Sequence, residues 1–244
     1  GGEINSMAAI LPGTLHLPDG TDVPVGYMYA LATNPYMQGK GHARQLLAYA
    51  DGWLKQRGMK ALTLVPASPS LHRFFEAFGM DECFSTRKVE ILSSALTGDS
   101  QGCVLTSICP REYNQIRERY LADTFHLAYS DQLIHFQQIG SHLAYGDLFR
   151  VEVNGEVGCV AIEYVQKSRL LMKELLISQE NMRPAVEAVA KEMAAYRYHV
   201  RTPAFWEGLQ GSYQQPFGMI KWYDQDLHAK WFSHQDAYLG LGFD

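Results

Sequence analysis

Apolar residues recur at Ala43, Leu46, Leu47, Ala50 and Leu54, the i, i+3, i+4, i+7, i+11 spacing of one helix face. Lys55 and Arg57 fall in the last turn of such a helix and Gly58 just beyond it, both expected stop signals. Strand patterns flank it. Residues 23–33 precede it and close at Asn34-Pro35; residues 61–65 follow and end at Pro66. The pattern therefore predicts a β-α-β unit whose helix is entered through Gln38-Gly39-Lys40-Gly41-His42-Ala43. Upstream, residues 3–11 are strand-like, and the turn residues Pro12-Gly13 and Pro18-Asp19-Gly20 make an antiparallel hairpin the economical reading. Downstream, Ser68 caps and Pro69 opens a helix with Leu71, Phe74, Phe75 and Phe78 on one face. Gly79 ends that helix, and residues 84–92 are strand-like.

Residues 93–102 are small, polar and glycine-bearing, which places a domain boundary there and predicts units at 1–95 and 103–244. In the second unit, 104–108 is a strand, and 110–121 is a helix aligning Tyr113, Ile116, Tyr120 and Leu121. Residues 130–139 form a further helix. Phe149, Val151 and Val153 alternate with Arg150 and Glu152, and Asn154-Gly155 turns the chain into a strand at 157–164. A strand at 170–177, a helix at 184–195 burying Val186, Val189, Ala190 and Met193, and a strand at 198–202 follow. The tail is strand-like at 216–222 and 238–244. The order β-α-α-β-β-β-α-β in the second half contains the β-β-α-β-α-β order of the first. This predicts a mixed α/β (α+β) fold in tandem, its first copy lacking about one strand and two helices at the front.

Composition narrows the functional classes. A formal net charge of −5 in 244 residues argues against a nucleic-acid footprint and favours a cationic or neutral partner. Cys83, Cys103, Cys109 and Cys159 show neither a C-x-x-C pair nor metal-ligand spacing, so they are expected to be reduced thiols of a cytoplasmic protein without a metal. The histidines show no metal-ligand spacing either. No apolar run has the length of a membrane span and no signal peptide is visible, so no membrane partner is expected.

The turn before the first helix carries the chemistry. A glycine turn feeding a helix N-terminus gathers unpaired N–H groups at the positive end of the helix dipole, an anion-binding device. A P-loop needs Gly-Lys followed by Ser or Thr, but here Lys40 precedes Gly41. A dinucleotide fingerprint needs a third glycine where Arg44 stands. The stretch Gln38-x-x-Gly41-x-Ala43 instead resembles the Q/R-x-x-G-x-G/A signature of the GCN5-related N-acetyltransferase (GNAT) superfamily. Residues 30–35 (Ala-Leu-Ala-Thr-Asn-Pro) resemble that family's strand end before the loop, and 62–67 (Leu-Thr-Leu-Val-Pro-Ala) its next strand. Ser70-Leu-His-Arg-Phe-Phe-Glu-Ala-Phe-Gly-Met is similar to its F-Y-E-x-x-G-F helix. Together the matches cover about residues 3–92.

The resemblance implies acetyl-coenzyme A as co-substrate and a primary amine of a small molecule as acceptor. It implies that Gly39, Lys40, Gly41, His42, Ala43 and Arg44, led in by Gln38, hold the pyrophosphate. Leu31, Ala32 and Thr33 would take the pantetheine arm, and Ser68 stands where many members have an Asn near the cofactor. Phe75 replaces the usual general-acid Tyr and cannot donate a proton. Larger tandem members use the terminal carboxylate as base, which makes Asp244 the candidate here, with Glu3 and Tyr29 as weaker ones. The second half has Ser178-Gln-Glu-Asn-Met-Arg-Pro where a cofactor loop belongs. It lacks glycine and carries Glu180, so it is expected to be a degenerate GNAT-like domain shaping the acceptor site or a homo-oligomer interface. The rival expectation is a non-catalytic acyl-coenzyme A-binding or regulatory protein.

Overall fold

The computed structural model describes residues 3–96, 102–231 and 236–243. Strands β1 (Ser6–His16) and β2 (Asp22–Thr33) form the hairpin; α1 (His42–Gln56), β3 (Ala61–Leu64), α2 (Pro69–Glu76) and β4 (Asp81–Leu92) follow. The chain continues through β5 (Val104–Ser107), α3 (Pro110–Leu121), β6 (Phe125–Ala128), α4 (Asp131–Leu143), β7 (Asp147–Val153), β8 (Glu156–Gln166) and β9 (Arg169–Leu176). It ends with α5 (Met182–Glu192), β10 (Arg197–Pro203), β11 (Tyr213–Trp222), α6 (Gln225–Trp231) and β12 (Ala237–Tyr238).

All these strands share one mixed sheet of order β12-β6-β1-β2-β3-β11-β4-β10-β9-β8-β7-β5. Strands β6, β10 and β11, from beyond residue 102, pair with strands from before residue 93. β11 sits antiparallel between β3 and β4, and β4 is long enough to pair with β11 at one end and β10 at the other.

Period-2 alternation sends side chains to two faces. Leu47, Leu54, Phe75 and Met80 from α1, α2 and the turn after it pack with Met28, Leu62 and Leu64 on one face. Val25, Tyr27 and Ala61, on the other face, join Tyr113, Ile116, Leu133 and Ile134 of α3 and α4. In the second half, Val160, Ile162, Leu170 and Met172 pack with Val186 and Val189 of α5, while Cys159, Ala161 and Leu176 join the α3/α4 core.

Several local expectations need correction. Pro12-Gly13 is not a turn: β1 runs through it, with Pro12 opposite Gly26. Pro12 lies outside the Thr14–His16 stretch that pairs with β6, so its missing N–H interrupts no bond on that side. The turn is the Pro18–Gly20 segment alone, where the Gly20 N–H donates to Leu17 O. β6 was not predicted; its four residues are too few for periodicity to show. Helix α6 was also missed. Of the strand expected at 238–244, the structure has only β12 at Ala237–Tyr238, because Gly240 and Gly242 take positive φ (+78° and +65°) and turn the chain.

Candidate active site

β2 and β3 are parallel neighbours only from Val25/Ala61 to Met28/Leu64. Beyond that rung β2 stays paired with β1, whereas the chain after Leu64 leaves through Val65-Pro66. The strands part, and a cavity of about 210 Å³ opens between Tyr27–Leu31 on one side and Leu64, Val65, Ala67, Leu71 and Phe75 on the other. The β3-facing edge of β2 has no strand partner past Met28. At the rim Ala30 is left-handed (φ +53°) and the β1–β2 register shifts between Met7 and Ala9. A non-glycine residue in that region costs of order 1 kcal/mol or more. This bulge redirects the backbone at the mouth of the cleft. Nothing in the sequence signalled it.

From there the chain makes a short 3-10 turn, Pro35–Met37, whose Asn34 side chain accepts from the Tyr36 N–H. Gly39 and Gly41 both have positive φ (+75° and +83°), which is why glycine is needed at each. Gly41 is the N-cap of α1, and no side chain caps the helix; the first intrahelical bond is Gln45 N–H to Gly41 O. The N–H groups of the first turn are thus left for an outside acceptor. Gln38, Gly39, Lys40 and Arg44 are exposed, with His42 and Ala43 half-buried. An ideal Cβ on Gly39 or Gly41 would meet nothing within 4 Å, so the backbone is open to close approach.

Among the sequence candidates, Leu31 lines the cleft. Ala32 and Thr33 continue β2 opposite Met7 and Ser6, where the Ser6 hydroxyl donates to Ala32 O and lies 2.9 Å from Thr33 Oγ1. Ser68 stands at the N-cap of α2 without capping it; its hydroxyl pairs with that of Ser70 at 2.9 Å. Phe75 is buried in the cleft wall against Phe74. Tyr29 lines the cleft, and Glu3 is exposed outside it. Asp244 lies outside the described residues.

The tail closes the far side. Gly242 and Phe243 line the cleft, and the buried Tyr27 hydroxyl donates to Gly242 O. The Phe243 ring sits 5.5 Å from Tyr27, 5.3 Å from Tyr129 and 5.6 Å from Phe136. The Tyr129 hydroxyl donates to Leu239 O at 2.9 Å. Beneath the tail, the wholly buried Arg117 donates to both oxygens of buried Glu174 at 3.1 and 3.3 Å, and the Tyr113 hydroxyl joins Glu174 at 3.0 Å. Burial works against the Arg117 charge, but Glu174 and Glu118 outweigh it and hold the guanidinium charged. A Cβ on Gly240 would come within 2.4 Å of Glu174 Oε2, so the tail lies directly on this pair. The alternating glycines of Leu-Gly-Leu-Gly-Phe were the one sequence signal that could have found this, and the strand reading of 238–244 passed over them.

Residues 1–81 match the model of the GNAT acetyltransferase domain. That stretch is a GNAT domain. The whole chain has a GNAT-like fold that matches tandem GNAT structures over most of its length. A GCN5-related N-acetyltransferase from Kribbella flavida is 16% identical with a TM-score of 0.66, the match covering 92% of this chain and 58% of that one. Eis1 from Mycobacterium abscessus is 15% identical with a TM-score of 0.65, covering 92% and 62%. A probable N-acyltransferase of unknown function from Enterococcus faecalis V583 is 12% identical with a TM-score of 0.68, covering 93% and 61%. At these identities the likeness establishes the fold, and the chain spans about three-fifths of each neighbour. No curated protein matches it significantly. GNAT domains use an acyl-coenzyme A generally, and the open loop and cleft of residues 1–81 fit such a group. Among the described residues no helix is long and apolar enough to cross a membrane.

Proposed function

We propose that the protein is an N-acetyltransferase that moves an acetyl group from acetyl-coenzyme A to a primary amine of a small molecule. One observation carries this reading: an uncapped helix N-terminus follows directly on the unpaired strand edge at an apolar cleft. Acetyl-coenzyme A needs both, N–H groups for its pyrophosphate and a strand edge for its pantetheine arm; when bound it supplies an activated acetyl thioester. On this reading the N–H groups from Gly39 to Ala43 hold the phosphates, with Lys40 or Arg44 adding charge. The edge at Leu31–Thr33 receives the arm as an added strand, and one of its N–H groups polarises the thioester carbonyl.

The reaction then needs positioning more than a covalent enzyme nucleophile. Two thiols are ill-suited to that role in any case: burial, with Glu174 adding to it, pushes Cys159 up, and burial with Asp81 pushes Cys83 up to about 12. Asp244, which follows the cleft-lining Phe243 in sequence, is the candidate base through its side chain, and Tyr29 is the second. The alternative, a non-catalytic acyl-coenzyme A-binding or regulatory protein, is favoured by one observation: Phe75 puts a ring without a hydroxyl in the cleft wall. A melting experiment followed by a thiol-release assay separates the two. Acetyl-coenzyme A is expected to raise the melting temperature, and an amine panel to release free thiol. A melting shift without thiol release leaves the binding protein; no shift rejects both.

A further inference from the structure

On the face of the sheet away from α5, charged side chains line a trench of about 270 Å³, and the cavity on the cleft side lies beyond its inner end. The alternation identifies them: Val89, Leu170, Met172, Tyr198 and Val200 face α5, so Lys88, Glu90, Arg169, Leu171, Lys173, Arg197, His199 and Arg201 face the other way. Strand register stacks them in rungs. Arg197 lies opposite Arg169 in the outer rung. His199 lies between Glu90 and Leu171 in the middle one, and Glu163 follows beside Leu171. Arg201 lies opposite Lys88 at the inner end, where Lys173 also falls. The inner end is the tail: Arg201 and Lys88 lie 5.2 and 5.8 Å over the Phe217 ring, against which Gly242 packs. Lys173 and Glu163 share a cavity with Tyr29, Phe136 and Phe243. From Lys173 out to Arg169 is four residues, roughly 13 Å of strand.

The charges are arranged in opposition. At the inner end the Glu163 carboxylate is held by Gln137, Ser141 and Lys173 at 2.7, 3.3 and 3.4 Å, and all three contacts fall on Oε1. Oε2 carries none of them. At the outer end Arg197 is paired with Glu90, whereas the Arg169 side chain makes no hydrogen bond or ion pair among the described residues. Among the described residues the trench has five cations against two carboxylates, Glu90 and Glu163, in a chain whose net charge is −5. His199 adds no charge near neutrality, since burial lowers its pKa and the neighbouring arginines oppose the help from Glu90.

We infer that the trench is the acceptor lane, and that the acceptor is a primary amine carrying a carboxylate or phosphate at its far end. Its ammonium faces Glu163 Oε2 beside the cleft, and its anionic group faces Arg169 on the outer rung. This rests on the acetyltransferase reading and names its substrate class. It reverses what net charge alone suggested, because recognition follows local rather than total charge.

The test compares 8-aminooctanoate with its methyl ester, the same amine with and without the distal charge. The acid is expected to show a KM at least about tenfold below the ester's at low ionic strength, and Arg169→Gln to shrink that gap below about threefold. Glu163→Gln is expected to raise KM for both. Equal KM values in the wild type, or a gap that survives Arg169→Gln, overturn the assignment. If neither amine is acetylated, calorimetric titration with 8-aminooctanoate decides: binding that Arg169→Gln weakens supports the lane, and absence of binding rejects it. A missing melting shift with acetyl-coenzyme A would instead sink the acetyltransferase reading, and the calorimetric arm would still judge the lane.

Discussion

The loops that enter α1 and α5 stand at corresponding points in two halves of similar element order, and they differ in where their polar groups find an anion. Before α1, two left-handed glycines leave the N–H groups open and no side chain caps them. Before α5, the protein supplies its own anion. The Glu156 carboxylate accepts from the Ser178 N–H at 2.9 Å, the Ser178 hydroxyl and the Asn181 amide at 2.5 Å, and the Tyr120 hydroxyl at 2.6 Å. One loop leaves its N–H groups open, and the other holds a carboxylate of the protein itself. The second half is therefore not an idle copy: its Arg117–Glu174 pair lies beneath the tail that walls the first half's cleft.

That support gives the largest expected effect. Arg117→Met leaves Glu174 buried and unpaired, which costs about 3–5 kcal/mol, readable by chemical denaturation; a loss below about 1 kcal/mol would show that the pair matters little to the fold. Next is Gly41→Val. A β-branched residue at φ +83° is strained, and its side chain shields the N–H groups. The stabilisation by acetyl-coenzyme A, about 2.7 kcal/mol at a concentration of 100 Kd, is expected to vanish, while Glu180→Gly in the other loop leaves it intact. A melting shift that survives Gly41→Val would place the cofactor elsewhere. Smaller again is Phe75→Tyr. If proton delivery to the departing thiolate limits turnover, the new hydroxyl is expected to raise thiol release about tenfold, below the usual general-acid contribution because the site was not shaped for it. No gain would favour the binding-protein reading.

The two loops also mark how far sequence carries. The geometry of the first was legible because it is local: glycine spacing, a strand before it and a helix after it all lie within about thirty residues. In the second, the missing glycines were legible, and so was Glu180, the acid within the loop, which is exposed. The carboxylate that the loop itself holds is Glu156, 22 residues upstream of Ser178, and no local pattern points to it. The same limit hid the insertion of β11 between β3 and β4, the tail's return to Tyr27, and the charged trench, all of which join residues far apart in sequence. The left-handed Ala30 escaped for another reason: alanine carries no propensity for that conformation, so tertiary context imposes it.

The smallest effect tests whether Glu156 is a built-in substitute for a bound anion. Burial of this carboxylate opposes its ionisation, but the hydrogen bonds from Ser178, Tyr120 and Asn181 outweigh that and lower its pKa from 4.5. A group whose pKa is depressed by folding binds fewer protons folded than unfolded, so its stabilisation is present above the unfolded value and is lost as pH falls through the folded one. Glu156→Gln keeps the shape but removes the charge. It is expected to cost about 1 kcal/mol at neutral pH, and the difference from wild type is expected to shrink as pH drops below about 4.5. Melting curves of both proteins across that range check it. A difference that stays constant with pH would mean that the carboxylate serves only by its shape, and the contrast between an open loop and one that holds its own anion would lose its electrostatic basis.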